Sequence, residues 1–100
     1  MFPRGELMIY FLRSGYDGPI KIGKVNMNER RHLHLQEEAV QNRIKLLQTG
    51  NPERLLLLKT VRSIDVGVSE SELHKNFFHL NIHGEWFAPE KELLEYIERL

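Results

Sequence analysis

The chain has 100 residues, 41% of them hydrophobic, which suffices for a single domain spanning residues 1–100 with one modest core. Lys and Arg number 14 and Asp and Glu also 14, so overall charge favours neither a polyanion nor a membrane surface. The absence of cysteine excludes disulfide frameworks and thiolate metal sites and suits a reducing cytoplasm. No apolar run approaches the length of a bilayer span, and the opening MFPRGEL lacks the apolar core of a signal peptide, so a cytoplasmic location is expected. Charge is unevenly placed: residues 21–63 carry nine Lys/Arg against four Asp/Glu, and residues 64–100 carry three against eight. That asymmetry fits a basic face turned to a polyanion, and equally two solvated helix surfaces of opposite sign.

Residues 6–12 (ELMIYFL) and 19–25 (PIKIGKV) alternate as strands, and the intervening RSGYDG carries turn chemistry. An antiparallel pairing with Ile9 opposite Ile22 also sets Phe11 opposite Ile20, giving an apolar face. On the other face it sets Tyr10 opposite Lys21, roughly 5 Å apart. Residues 28–48 read as one long helix with Asn28 as N-cap and Leu33, Val40, Ile44 and Leu47 as its buried stripe, with Arg43 beside that stripe. TGNP (49–52) ends it. RLLLLKTVR (54–62) reads as a central strand and SIDVGV (63–68) as a loop. Ser69 and Glu72 form a capping box, so a helix is expected from there to about His79. NIHGEWFAP (81–89) reads as irregular or as a short strand, and EKELLEYIERL as a last helix buried through Leu93, Leu94, Ile97 and Leu100. The order β-β-α-β-α-α predicts an α+β domain whose meandering, mostly antiparallel three-stranded sheet is flanked by helices.

Several residues carry chemistry beyond packing. Tyr10 beside Lys21 is either a half-exposed tyrosine next to a solvated lysine or a phenol whose pKa, about 10 when free, a neighbouring cation lowers. Arg43 either snorkels along the apolar stripe or holds phosphate oxygens with its guanidinium. Glu72 is occupied at the helix cap, whereas Glu70 shares the buried-side face of Leu73, His74 and Phe77; it is either a first-turn acid favoured by the helix dipole or a carboxylate aimed at a hydrated Mg²⁺. The five histidines form no zinc pattern, and most read as packing or surface residues. Trp86 and Phe87 read as core anchors, with base stacking as the alternative for Trp86.

MIY (8–10) and KIG (21–23) resemble the paired triplets of the GIY-YIG nuclease superfamily. RIKLLQTGNPERLLLL (43–58), ESELHKNFF (70–78) and GEWF (84–87) follow in the order of its small free-standing branch, met in phages and bacteria, where KIG replaces YIG. The resemblance covers about residues 7–98 and implies a small GIY-YIG-like domain acting as a metal-dependent endonuclease, by hydrolysis of DNA phosphodiesters with one Mg²⁺ or Mn²⁺. It implies that Tyr10 orients or deprotonates the attacking water, Lys21 assists Tyr10 or meets phosphate, Arg43 stabilises phosphate charge, and Glu70 holds the metal. Met8 replaces the first glycine. The stretch VNMNERRHLHLQEE (25–38) is additional, and Asn76, Asn81 or Glu85 stands for the superfamily's asparagine. Lys24, Arg30, Arg31 and Lys45 are expected to meet phosphate backbones of DNA or RNA, with Gly23, His74, Glu85 and Trp86 as supporting residues. Tyr10, Lys21, Arg43 and Glu70 are expected to converge on one cleft beside the hairpin. The rival expectations are a module that holds nucleic acid without cutting it, and a protein-interaction module or homodimer docked through the additional helix.

Overall fold

The computed structural model describes the backbone of residues 6–27 and 33–100 and the side chains of residues 8–25 and 38–100. The expectations on Asn28, Arg30, Arg31 and His32, and on the Leu33 side chain, lie outside the described residues. Strands β1 (Glu6–Ser14) and β2 (Ile20–Met27) form an antiparallel hairpin. Helix α1 (Leu33–Gln48), strand β3 (Leu55–Arg62) and the short helix α2 (Ser63–Val66) follow. Helix α3 (Glu70–Asn76), strands β4 (Asn81–His83) and β5 (Trp86–Phe87), and helix α4 (Lys91–Arg99) complete the chain. The α+β class is as expected. The three long strands are antiparallel as anticipated but do not meander, since β3 pairs with β1 and not with β2, and residues 81–89 widen the sheet to five strands in the order β3-β1-β2-β5-β4, every neighbouring pair antiparallel.

The position of β3 differs from expectation: the Leu-rich strand stands at an edge, and β1 lies inside the sheet, paired with both β2 and β3. Residues Met8 through Leu12 are all buried, as befits a strand covered on both faces. β3 buries Leu55 but leaves Leu57 and Leu58 at 38% and 37% exposure. Its register with β1 steps from Phe11↔Lys59 to Leu12↔Leu57, so Leu58 is the extra residue of an edge bulge.

The hairpin register also differs from expectation. Phe11 pairs with Ile22, Tyr10 with Gly23 and Leu12 with Lys21, two residues away from the pairing that apolar matching suggests. The loop is tighter than RSGYDG: Ser14 N donates to Pro19 O at 3.0 Å, so β1 continues past Leu12 and Arg13. A shift of two residues preserves the faces, so Tyr10 and Lys21 still share one, but diagonally.

The sheet separates two cores. Ile9, Phe11, Ile20, Ile22 and Phe87 pack with Leu73 and Phe77 of α3 and Leu93 and Ile97 of α4. Met8, Tyr10, Leu12, Val25 and Leu55 pack with Val40 of α1 on the opposite face, flanked by Ile44, Leu47 and Trp86. Within 63–68, expected as loop, Ser63–Val66 close one helical turn, which ends where Gly67 adopts φ 71° and its N–H reaches Ser63 O at 2.9 Å. Ser69 caps α3 as predicted, its Oγ accepting from Glu72 N at 3.1 Å. The helix stops at Asn76, and a 3-10 turn over Phe78–Leu80 carries the chain to β4. No described helix is long and apolar enough to cross a membrane.

Gly23 is required by contact. A Cβ built there would lie 2.3 Å from Tyr10 Cζ and 2.4 Å from its Oη. Gly23→Ala should therefore destabilise the fold by about 1–3 kcal/mol in urea unfolding, the usual cost of overpacking. In a Tyr10→Ala background most of that cost should vanish, because the ring that the methyl meets is gone. Equal costs in both backgrounds would show that the ring does not lie across Gly23.

Candidate functional site

The site forms where β5 ends. β5 covers β2 only at Ile20 and Lys21. The next backbone groups of β2 find other partners: Ile22 N donates to Glu85 O at 3.0 Å, and Ile22 O accepts from His74 Nε2 at 2.9 Å. The His74 ring thus takes the carbonyl that a longer β5 would have bonded. Among the described residues no strand pairs with this edge of β2 beyond that point, and in this notch beside Gly23 groups from the two faces of the sheet approach each other.

From the α1 face, Tyr10 and Arg43 enter a cleft of about 320 Å³, lined also by Lys24, Val25 and Glu85. Arg43, exposed on α1, shares this cleft with Tyr10, and the end of α1 is anchored. The amide of Gln48 donates to Asn51 O at 3.3 Å and Glu53 O at 3.0 Å, and its Oε1 accepts from Leu55 N at 2.9 Å, fixing the turn between α1 and β3. This gives LQTGNP a physical meaning: the glutamine clamps the loop that follows it. Lys45, expected to meet phosphate backbones, is exposed on α1 and does not line the cleft.

From the α3 face comes Glu70. The two acids of the helix start separate: Glu72 is exposed and bound to the cap, whereas Glu70 is 7% exposed. Glu70 does not line the cleft; it adjoins Glu85, which does. Donor atoms of Glu70, His74 and Glu85 all lie within 4.8 Å of one another, an arrangement able to hold a metal ion. His74 was expected as a supporting residue, and it packs on Phe87 with ring centroids 5.0 Å apart. Its Nε2 lies 3.9 Å from Glu70 Oε1, yet a carbonyl can only accept, so this nitrogen carries its hydrogen toward Ile22 O. While that bond stands, Nε2 has no lone pair for a metal. Glu70 Oε2 is the one buried side-chain polar atom without a hydrogen-bond partner among the described residues, and such an orphan oxygen suits a cation.

Lys21, expected to assist Tyr10 or to meet phosphate, pairs with an acid. Its Nζ lies 2.7 Å from Glu85 Oε1 and 5.8 Å from the centre of the Trp86 ring, so it serves Glu85 and not the Tyr10 phenol. Trp86 itself is half-buried against the α1-side core. Asn81 fastens the turn that presents Glu85, donating to Gly84 O at 2.9 Å and Trp86 O at 3.3 Å, and Asn76 is exposed.

These contacts set the ionisation of the acids in opposite directions. Burial, then the neighbouring Glu85, raise the Glu70 carboxyl above the ordinary range, against the pull of His74 and Lys24. Burial would raise Glu85 as well, but the hydrogen bond and charge of Lys21, aided by Glu70 and His74, hold it below that range. Of the two, Glu85 therefore gives up its proton more readily and Glu70 less readily. Burial also pushes the Tyr10 phenol up to about 12; Arg43 pulls it down, and Glu85 and Glu70 add to the rise. The cation beside Tyr10 is therefore Arg43, and the phenol is neutral at physiological pH. A cleft with a guanidinium, an ammonium, a phenol and a paired carboxylate can hold an anion and a hard cation side by side.

The family model described as the T5orf172 domain matches residues 7–100. No curated protein and no solved structure matches the chain.

The Tyr10 phenol ties stability to alkaline pH. The folded state holds this proton up to about pH 12, whereas the unfolded state releases it near 10. The associated stability is complete below pH 10 and is lost as pH rises through 12, a loss on the order of 2–3 kcal/mol. Urea unfolding at steps from pH 8 upward should show the parent declining more steeply than Tyr10→Phe. Parallel decline of the two proteins would mean that the phenol is not held in a buried site.

Proposed function

The chain belongs to the T5orf172 domain family, and on that premise we propose that it is a metal-dependent endonuclease that hydrolyses DNA phosphodiester bonds, acting in the manner of the GIY-YIG nucleases that its MIY and KIG triplets resemble. The observation that carries this reading is the unpartnered, buried Glu70 Oε2 set against Glu85, which in turn lines the cleft that holds Tyr10 and Arg43.

Glu70, with Glu85 beside it, offers hard oxygen donors of the kind Mg²⁺ or Mn²⁺ takes, and Glu70 would hold one such ion. When bound, that ion supplies Lewis-acid stabilisation of charge developing on the leaving oxygen. Arg43 clamps the non-bridging oxygens of the scissile phosphate, where a guanidinium can donate two parallel bonds. Tyr10 lies at the floor of the cleft and orients the attacking water through its phenol oxygen. With a pKa of about 12, the phenol keeps its proton until substrate binds. The side chains of Tyr10 and Arg43 reach the water and phosphate from one direction, and the carboxylates reach the leaving side from the other. Lys24, on the rim of the cleft, meets the next phosphate along the strand. Lys45, exposed on α1, offers a further cation to the nucleic acid, and Arg30 and Arg31 are proposed from the sequence to meet phosphate as well.

Purified protein incubated with supercoiled DNA, single-stranded DNA and RNA, in Mg²⁺, Mn²⁺ or EDTA, tests the reading. DNA should be cut with either metal and left intact in EDTA. Glu70→Gln should lower the rate at least about 100-fold, comparable with the loss of a transition-state charge partner. Glu72→Gln, which can still complete the cap, should cut much as the parent does. A mobility shift without cleavage in any metal would replace the nuclease by a module that holds nucleic acid, and cleavage by Glu70→Gln at the parental rate would remove Glu70 from the metal site.

A further inference from the structure

The turn between β4 and β5 brings a second carboxylate into the notch, and a lysine is already bound to it. Lys21 Nζ lies 2.7 Å from Glu85 Oε1. Glu70 Oε2 has no partner, although its residue is 7% exposed and donor atoms of Glu70 and Glu85 lie within 4.8 Å of each other. His74 Nε2 is committed to Ile22 O. Two acids therefore share the notch, and the Lys21 ammonium pairs with only one of them.

Resting on the reading of Glu70 as a metal-holding residue, we propose that Glu85 is the second ligand of the same divalent cation, and that Lys21 is its built-in counter-ion, holding Glu85 while the site is free of metal and competing with the metal for that carboxylate.

Charge and geometry argue for this pairing. Two adjacent carboxylates repel unless positive charge lies between them. A monovalent ammonium can answer one of them, and a divalent ion placed between them answers both. The orphaned Glu70 oxygen is the atom that Lys21 leaves unanswered. Lysine also suits an exchangeable partner: its ammonium is a point charge on a flexible stem, without the two-pronged grip of a guanidinium. A resting place for the displaced ammonium exists, since Lys21 Nζ already lies 5.8 Å from the Trp86 ring centre. Asn81, bonded to Gly84 O and Trp86 O, holds the turn so that Glu85 stays in the notch when Lys21 leaves.

Mn²⁺ binding to the full chain, measured calorimetrically without nucleic acid, separates the roles. Glu85→Gln should weaken Mn²⁺ binding by about tenfold or more, the scale seen when groups around a metal are altered. Lys21→Met, which keeps the stem against Trp86, should tighten it several-fold. Glu70→Gln should lose binding. If Glu70→Gln binds as the parent does, or the parent binds no Mn²⁺, the reading of Glu70 falls and this inference falls with it. If Glu70→Gln loses binding but Glu85→Gln does not, only the second ligand is overturned. Weaker binding by Lys21→Met would overturn the counter-ion role. Circular dichroism reports whether each variant is folded; should Glu85→Gln unfold, folded Glu85→Asp must show the weakening instead, and parental binding by it would overturn the assignment.

Discussion

The Tyr10 ring lies across the α-carbon of Gly23, and the geometry of the notch follows from that contact. No other residue type fits beneath the ring, since any Cβ would stand within 2.3 Å of it. The contact selects one register of the first hairpin over the register two residues away, which matches apolar residues equally well. With that register set, Lys21 falls diagonal to Tyr10 and opposite Leu12, facing the end of β5. Ile22 presents its backbone to Glu85 and His74, beyond which no described strand pairs with that edge of β2. One close approach of a ring to a backbone thereby determines which charged groups share a space.

The notch then solves an electrostatic problem. Glu70 and Glu85 arrive from separate elements, one on α3 and one on the β4–β5 turn, and they would repel if both were charged. Without metal, the Lys21 ion pair at Glu85 eases the conflict, and it shows in the Glu70 carboxyl, which is held above the ordinary range. His74 holds the Ile22 carbonyl and packs on Phe87, fixing α3 against the sheet and so fixing Glu70. On the far face, the Gln48 clamp sets α1, and through it Arg43. Helices on opposite faces of the sheet thus contribute to one place, because a two-residue strand stops short and leaves a passage between them.

Much of this architecture was legible from residue pattern. The capping box at Ser69 separated Glu72 from Glu70, because cap chemistry is local and the helical period placed Glu70 with Leu73 and Phe77. The hairpin faces were legible for the same reason, as a period of two survives a shift of two. The register was not, since apolar matching is blind to such a shift and only the steric demand of Tyr10 at Gly23 resolves it. The edge position of β3 was hidden because a run of leucines reads alike in a core strand and in a bulged edge strand. β4 and β5, three and two residues long, are too short for any periodicity, so the place of Glu85 depended on tertiary contacts. His74 did carry a signal: it follows Glu70 by four residues, which places both on one helix face.

Anomalous diffraction from crystals soaked in Mn²⁺ tests the central claim most directly, because it locates the cation without reference to activity. The account predicts one peak in the notch, within coordination distance of Glu70 Oε2 and of a Glu85 oxygen, on the side that opens to Tyr10 and Arg43. No peak there at millimolar Mn²⁺, or a peak held by acids elsewhere on the surface, would contradict it.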